Sequence, residues 1–184
     1  MLATIRENKP YFTIANFLLF QVGWLVCIIA AANNYAAVSV LSCVTIIGLH
    51  LSMLNDIKSE VKLILISAFI GFIVDSLNIA FTIFQPVQAQ TLPLAPLWLV
   101  SLWMLFAICL RHSLSWLGKK PWLSAFFGAV CAPLAYYAGA ELGAIAFPRD
   151  NLWLALSAIA LEWVLITPWL IAMAKRSENL GQST

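Results

Sequence analysis

Residues 61–84, VKLILISAFIGFIVDSLNIAFTIF, form an apolar run of helix length with one acid, Asp75, near the middle. About 20 residues rising about 1.5 Å each cross the hydrocarbon core of a bilayer, so a run of this length reads as a transmembrane helix. A carboxylate at that depth costs at least about 2.5–3.5 kcal/mol on insertion scales, which confines it to a protein interior or a water-filled space. At about 100° per residue, Ala68, Gly71, Asn78 and Thr82 fall within about 60° of Asp75. One face of the helix is therefore small and polar, and the other helices are expected to gather around it.

The rest of the chain repeats the apolar pattern. Hydrophobic residues make up 62% of the 184 positions and charged residues 10%, against roughly 25% charged in soluble domains. This is the composition of an integral membrane protein with no room for a soluble domain. Arg6 and Lys9 precede the first apolar run, as in a signal peptide, but that run is longer than the roughly 7–15 residues of a signal core and is expected to be retained. Breaks at Asn33-Asn34, the QPVQAQTLP loop, Gly118 with Pro121, Phe147-Pro148-Arg149-Asp150 and Lys175-Arg176 divide the chain. Spans are expected at about 11–32, 35–56, 61–84, 96–117, 122–142 and 151–174. They form one domain over residues 1–176, with a disordered tail at 177–184. The expected fold is an all-α bundle of six transmembrane helices.

Charge placement sets the orientation. Six spans put Arg6, Lys9, Lys58, Lys62, Arg111, Lys119, Lys120, Lys175 and Arg176 at one end and Arg149 alone at the other. Cytoplasmic loops collect Lys and Arg, so both termini are expected in the cytoplasm, with the protein in a bacterial inner membrane. Trp98 and Trp153 near one end, and Trp116, Trp122 and Trp169 near the other, read as interfacial belts. In the fifth span Ser124, Gly128, Cys131, Ala135 and Gly139 share a face that lets a neighbour approach closely, and Pro133 interrupts that helix.

An ionisable residue inside a span is a functional candidate by default. The candidates for catalysis are His50, Asp75 and Glu162. Asn16, Gln21, Asn78, Arg111 and His112 are candidates for ligand binding. The competing reading is that these groups only hydrogen-bond between helices. The four cysteines, Cys27, Cys43, Cys109 and Cys131, all lie in apolar runs and form no CxxC pair, which suits core positions. Two histidines cannot build a histidine-rich di-iron centre, and HExxH, GxSxG, P-loop and dinucleotide motifs are missing. A metal on His50, His112 and an acid has no motif spacing behind it, so neither a metal nor another cofactor is expected.

Asn16-Phe-Leu-Leu-Phe-Gln21-Val-Gly-Trp24 resembles the start of a bacterial inner-membrane family known as domain of unknown function 2878. His50 and Asp75 in consecutive spans, the segments Pro96-Leu-Trp98 and Leu110-Arg-His112-Ser113-Leu-Ser-Trp116-Leu, and Pro133-Leu-Ala-Tyr136-Tyr-Ala-Gly139 agree with it. The resemblance implies no reaction. Its genomic neighbours, similar to cyclopropane-fatty-acid-synthase-like methyltransferases and flavin-dependent oxidoreductases, imply membrane lipid modification.

The first functional expectation is a lipid-directed accessory protein or enzyme with a polar, cytoplasm-facing cavity lined by Asn16, His50, Asp75, Arg111, His112 and Glu162. In an enzyme His50 would be the acid/base, Asp75 its partner, and Arg111 the holder of a phosphate or carboxylate. The alternatives are a small proton-coupled permease using Asp75 and Glu162, and a structural subunit. The expected partners are membrane lipid and other membrane or lipid-modifying proteins, with no nucleic acid.

Overall fold

The computed structural model describes residues 9–88 and 91–181, in which there are six α-helices. They are α1 (Lys9–Ala32), α2 (Ala36–Ser52), α3 (Ile57–Ala80), α4 (Leu97–Leu110), α5 (Pro121–Glu141) and α6 (Leu152–Gly181). Of the tail expected to be disordered, the backbone to Gly181 belongs to α6, and residues 182–184 lie outside the described residues, as does Arg6. Pro10–Ala32, Ile57–Ala80, Pro121–Glu141 and Leu152–Arg176 are long and apolar enough to cross a membrane; α2 and α4 are shorter. The chain is thus all-helical and has the makeup of a membrane protein.

The boundaries follow from caps. Asp56 accepts a hydrogen bond from the Ser59 backbone N–H at 3.2 Å and starts α3 four residues before the expected position. The Ser59 hydroxyl and backbone also hold the Asp56 carboxyl below the ordinary aspartate range. At the far end Thr82 (φ 56°) terminates α3: its N–H reaches the Ile79 carbonyl and the Ile83 N–H reaches that of Asn78. The same double bond pattern closes α1 at Asn34 and α5 at Gly143, both with positive φ. Helix α4 stops at Leu110 rather than near 117, because Arg111 begins a turn that leads into a 3₁₀ segment, Ser115–Lys119.

Helix α4 is the hub, in place of the stretch at 61–84. It packs on α1, α2 and α3 and touches α6, and nine of its 14 residues are buried. Its 14 residues rise only about 21 Å, well short of a bilayer core. Trp98, expected in an interfacial belt, is 2% exposed and belongs to the core. Trp153, Trp122, Trp169 and Trp116 are exposed. Helices α5 and α6 pack on each other, and a two-residue bridge, β1 (Gln85–Pro86) with β2 (Ile145–Ala146), ties their loop to the one after α3.

Gly71 and Gly128 are two of the glycines that mark close approaches. A Cβ on Gly71 would fall inside the Trp103 ring, and one on Gly128 would collide with Thr167 and the Trp163 carbonyl. Gly139 is different, since its added Cβ would meet nothing nearer than Ile28 at 3.7 Å. Gly128→Leu is therefore expected to cost about 1–3 kcal/mol through overpacking, with no comparable loss for Gly139→Leu. Thermal unfolding of the two variants in one detergent decides it, and equal midpoints would contradict the packing described.

Candidate functional site

The polar residues collect in two clusters, one at the end of the bundle where α1 begins and α6 finishes (the base) and one near mid-height. Helix polarity builds the first. Glu60 lies in the first turn of α3, while His50 lies in the last turn of α2 and Arg111 caps α4. An acid at a helix start and an arginine at a helix end each match the local helix dipole. Glu60 is fully buried. Its Oε2 accepts from Arg111 Nη1 at 3.0 Å, and its Oε1 lies 3.1 Å from His50 Nε2 and 3.5 Å from His112 Nε2. Arg111 also reaches Asp56 at 3.5 Å. The imidazoles meet edge-on with centroids 4.9 Å apart, and Phe12 packs against both rings.

Asn16 fixes the protons. Its Oδ1 accepts from the Ser113 hydroxyl at 2.7 Å, and its Nδ2 donates to the Ile108 carbonyl at 3.0 Å, so the amide orientation is locked. The same Nδ2 faces His50 Nδ1 at 3.3 Å. That nitrogen must accept, which leaves the proton on Nε2, donated to Glu60.

This bears on metal binding. Atoms of His50, Glu60 and His112 lie within 4.8 Å of one another, close enough to hold an ion. A metal on His50 Nε2 would need Nδ1 to carry a proton and donate it, yet Nδ1 faces a locked amide donor. Arg111 on Glu60 adds a competing cation. The donor set has the spacing for a metal, and its surroundings suit a shared proton.

The second cluster centres on Asp75, also fully buried. Trp103 Nε1 donates to its Oδ2 at 2.7 Å, and the Tyr136 hydroxyl donates to its Oδ1 at 2.5 Å. Asn78 donates to Glu162 Oε2 at 2.9 Å. His50, expected as the partner of Asp75, and Arg111, expected to hold a ligand's phosphate or carboxylate, are both engaged with Glu60. The structure thus joins Asn16, His50, Arg111 and His112 in one group, and Asn78 with Glu162 beside Asp75 in another.

An apolar cavity of about 520 Å³ lies between α1, α4, α5 and α6. Of the eight sequence candidates only Gln21 lines it. Its wall follows α4 from Trp98 to Cys109, about 17 Å at 1.5 Å per residue, so it is an elongated slot. Exposed Phe17 and Gln21 on α1 and exposed Leu134 on α5 form its lips, and these two helices share no extensive packing. Ile145 lines it near the bridge, and Cys109 and Leu114, which bracket Arg111–Ser113, line it beside the base cluster. Trp103 and Tyr136 separate the slot from Asp75.

Sequence reasoning missed Glu60, Trp103 and Tyr136. For Glu60 a signal existed: Asp56 and Ser59 form a capping pair that places residue 60 inside the helix. The two aromatic donors carried no signal, because Trp and Tyr in a span read as apolar residues.

The family model described as "Protein of unknown function (DUF2878)" matches residues 13–169. No curated protein and no solved structure matches the chain.

Proposed function

The chain belongs to the DUF2878 family, whose description carries no activity, and we propose from the site itself that it draws one lipid chain out of the bilayer into the slot between α1 and α5. The observation behind this reading is the slot: long, narrow, apolar and aromatic, with its lips on two helices whose outer faces suit lipid tails. Ligand pockets of about 300–1,000 Å³ are the usual size for small molecules. Gln21 would stand at the mouth.

In this reading six helices cross a bacterial inner membrane, with α2 and α4 shielded by their longer neighbours. The base faces the cytoplasm, where Lys58, Lys119, Lys120 and Lys175 belong under the positive-inside rule. A reporter fused after Thr184 and read as periplasmic would overturn that orientation. The protein then acts on the acyl chain or headgroup itself, or presents it to a lipid-modifying partner. As an enzyme it would use His50 as acid/base with Glu60, rather than Asp75, as the proton-sharing partner. The base cluster beside Cys109 and Leu114 supports this assignment, because a group at the end of a bound chain would approach it there. A permease using Asp75 and Glu162 has less support, since neither lines the slot.

Native mass spectrometry of the purified protein, with lipid analysis of the denatured sample, tests the proposal. One co-purifying lipid per chain is expected. Gly139→Leu, which fills part of the slot without a backbone collision, is expected to lower its occupancy severalfold. Protein that carries only detergent, or an occupancy indifferent to residue 139, would remove the basis for the reading.

A further inference from the structure

At the base of the bundle a second set of charges stands apart from the Glu60 cluster. Lys119 ends the 3₁₀ segment, Lys120 joins it to α5, and Lys175 and Arg176 lie toward the end of α6. The 3₁₀ segment packs on both helices. Lys175 Nζ donates to the Gly118 carbonyl, which sets its ammonium one residue from Lys119. Gly118 leaves room for this, since a Cβ there would fall on the Lys175 side chain.

All four cations are exposed. Among the described residues no acid pairs with them, because Asp56 and Glu60, the acids of the base, are taken up by Arg111 and the two imidazoles. In the sequence, stretches 115–122 and 169–181 carry these four cations against one acid, Glu178. Like charges gathered in this way repel one another, and an anion lying among them relieves the repulsion.

The neighbouring side chains indicate the source of that anion. Trp116 and Trp122, 46% and 64% exposed, flank the lysine pair, and Lys120 Nζ lies 5.8 Å from the centroid of the Trp122 ring. Trp169 is also exposed, two turns before Arg176 on the same face of α6. Exposed indoles beside long cations suit the headgroup layer of a bilayer, where the rings lie at the boundary and the ammonium groups reach phosphate. A soluble anion would use the lysines and leave the indoles uncovered.

We propose that Lys119, Lys120 and Lys175 form a docking site for the phosphate of an anionic membrane lipid, with Arg176 at its edge and Trp116 and Trp122 against the glycerol region. The site is separate from the slot, since none of these residues lines it.

The test titrates full-length protein in detergent with phosphatidylglycerol and with phosphatidylcholine of the same acyl chains, reading each bound fraction by native mass spectrometry. Phosphatidylglycerol is expected to bind about 5- to 30-fold more tightly, the range that one or two lysines near an anionic lipid supply. Lys119→Gln with Lys120→Gln should lower that preference at least about fivefold. Phosphatidylcholine binding should stay unchanged in this variant, which also reports a folded protein. The control is Lys58→Gln with Lys62→Gln, which removes the same charge from exposed positions near the start of α3; its preference is expected to stay close to wild type. Equal losses in the two double variants would assign the attraction to the whole basic end and overturn the site. Equal affinity of the wild type for both lipids would overturn it as well. Excess glycerol phosphate is expected to leave the lipid bound, and displacement would identify a soluble phosphate ligand instead. Gly139→Leu, aimed at the slot, should keep the preference. A preference lost there and kept in the lysine variants would move the anionic lipid into the slot and overturn this assignment alone.

Discussion

Glu60→Ala is expected to lower the unfolding free energy by about 3–5 kcal/mol, the usual cost of breaking a buried ion pair from one side. The carboxylate is fully buried and meets Arg111 at 3.0 Å, His50 at 3.1 Å and His112 at 3.5 Å. Removing it strips the Arg111 guanidinium, itself about one-tenth exposed, of its nearer acid and leaves it Asp56 at 3.5 Å, which is 42% exposed and screened by solvent. It also deprives the His50 Nε2 proton of its acceptor, while Asn16 prevents the ring from moving that proton to the other nitrogen. Glu60→Gln keeps shape and one acceptor oxygen, so its loss should be smaller. The double variant Glu60→Leu with Arg111→Leu should recover part of the stability, because apolar replacement of a whole buried pair is often close to neutral. Equilibrium unfolding in mixed micelles reads all four proteins. A Glu60→Ala curve that overlays the wild type would mean that the cluster does not hold the base together.

The second large effect is expected at mid-height. Asp75→Leu leaves the Trp103 indole N–H and the Tyr136 hydroxyl without an acceptor, at about 1–3 kcal/mol each. Asp75→Asn retains one acceptor oxygen and should lose about half as much. Because both rings also line the slot, a shift of either one toward a new partner would reshape its wall. The variant is therefore expected to be less stable and to retain an altered set of lipids. Unfolding curves and the lipid profile of the same preparation report the two effects separately. A wild-type result in both would reduce Asp75 to a space-filling residue.

Helix number and order were legible in the sequence because runs of apolar residues broken by Asn, Pro and Gly leave little choice. The partners were not legible. Glu60 stands just before residue 61, in a stretch whose lysines, serine and acids read as a loop, and only the Asp56–Ser59 cap reveals the helix there. Trp98 was misassigned for a general reason: lipid tails and a protein core are equally apolar, so hydropathy cannot tell a tryptophan facing one from a tryptophan facing the other. The same ambiguity hid the central place of α4. Its apolar character on every side is the mark of an enclosed helix, but an outer membrane helix carries it too. A cavity is still harder to read, since it is formed by atoms that fail to touch, and no residue type announces that.

The central position of α4 also bears on how the chain assembles. During synthesis α1, α2 and α3 emerge before the helix that all three pack against. Until α4 follows, Glu60 stands without Arg111 and His112, and Gly71 and Ser67 face no Trp103. The arrival of one 14-residue segment then brings Arg111 and His112 to Glu60 and Trp103 to Asp75, while Tyr136 and Glu162 follow later on α5 and α6. Any step that delays that segment leaves the Glu60 carboxylate with His50 and without its Arg111 guanidinium, so the base of the bundle is completed only when the second half of the chain arrives.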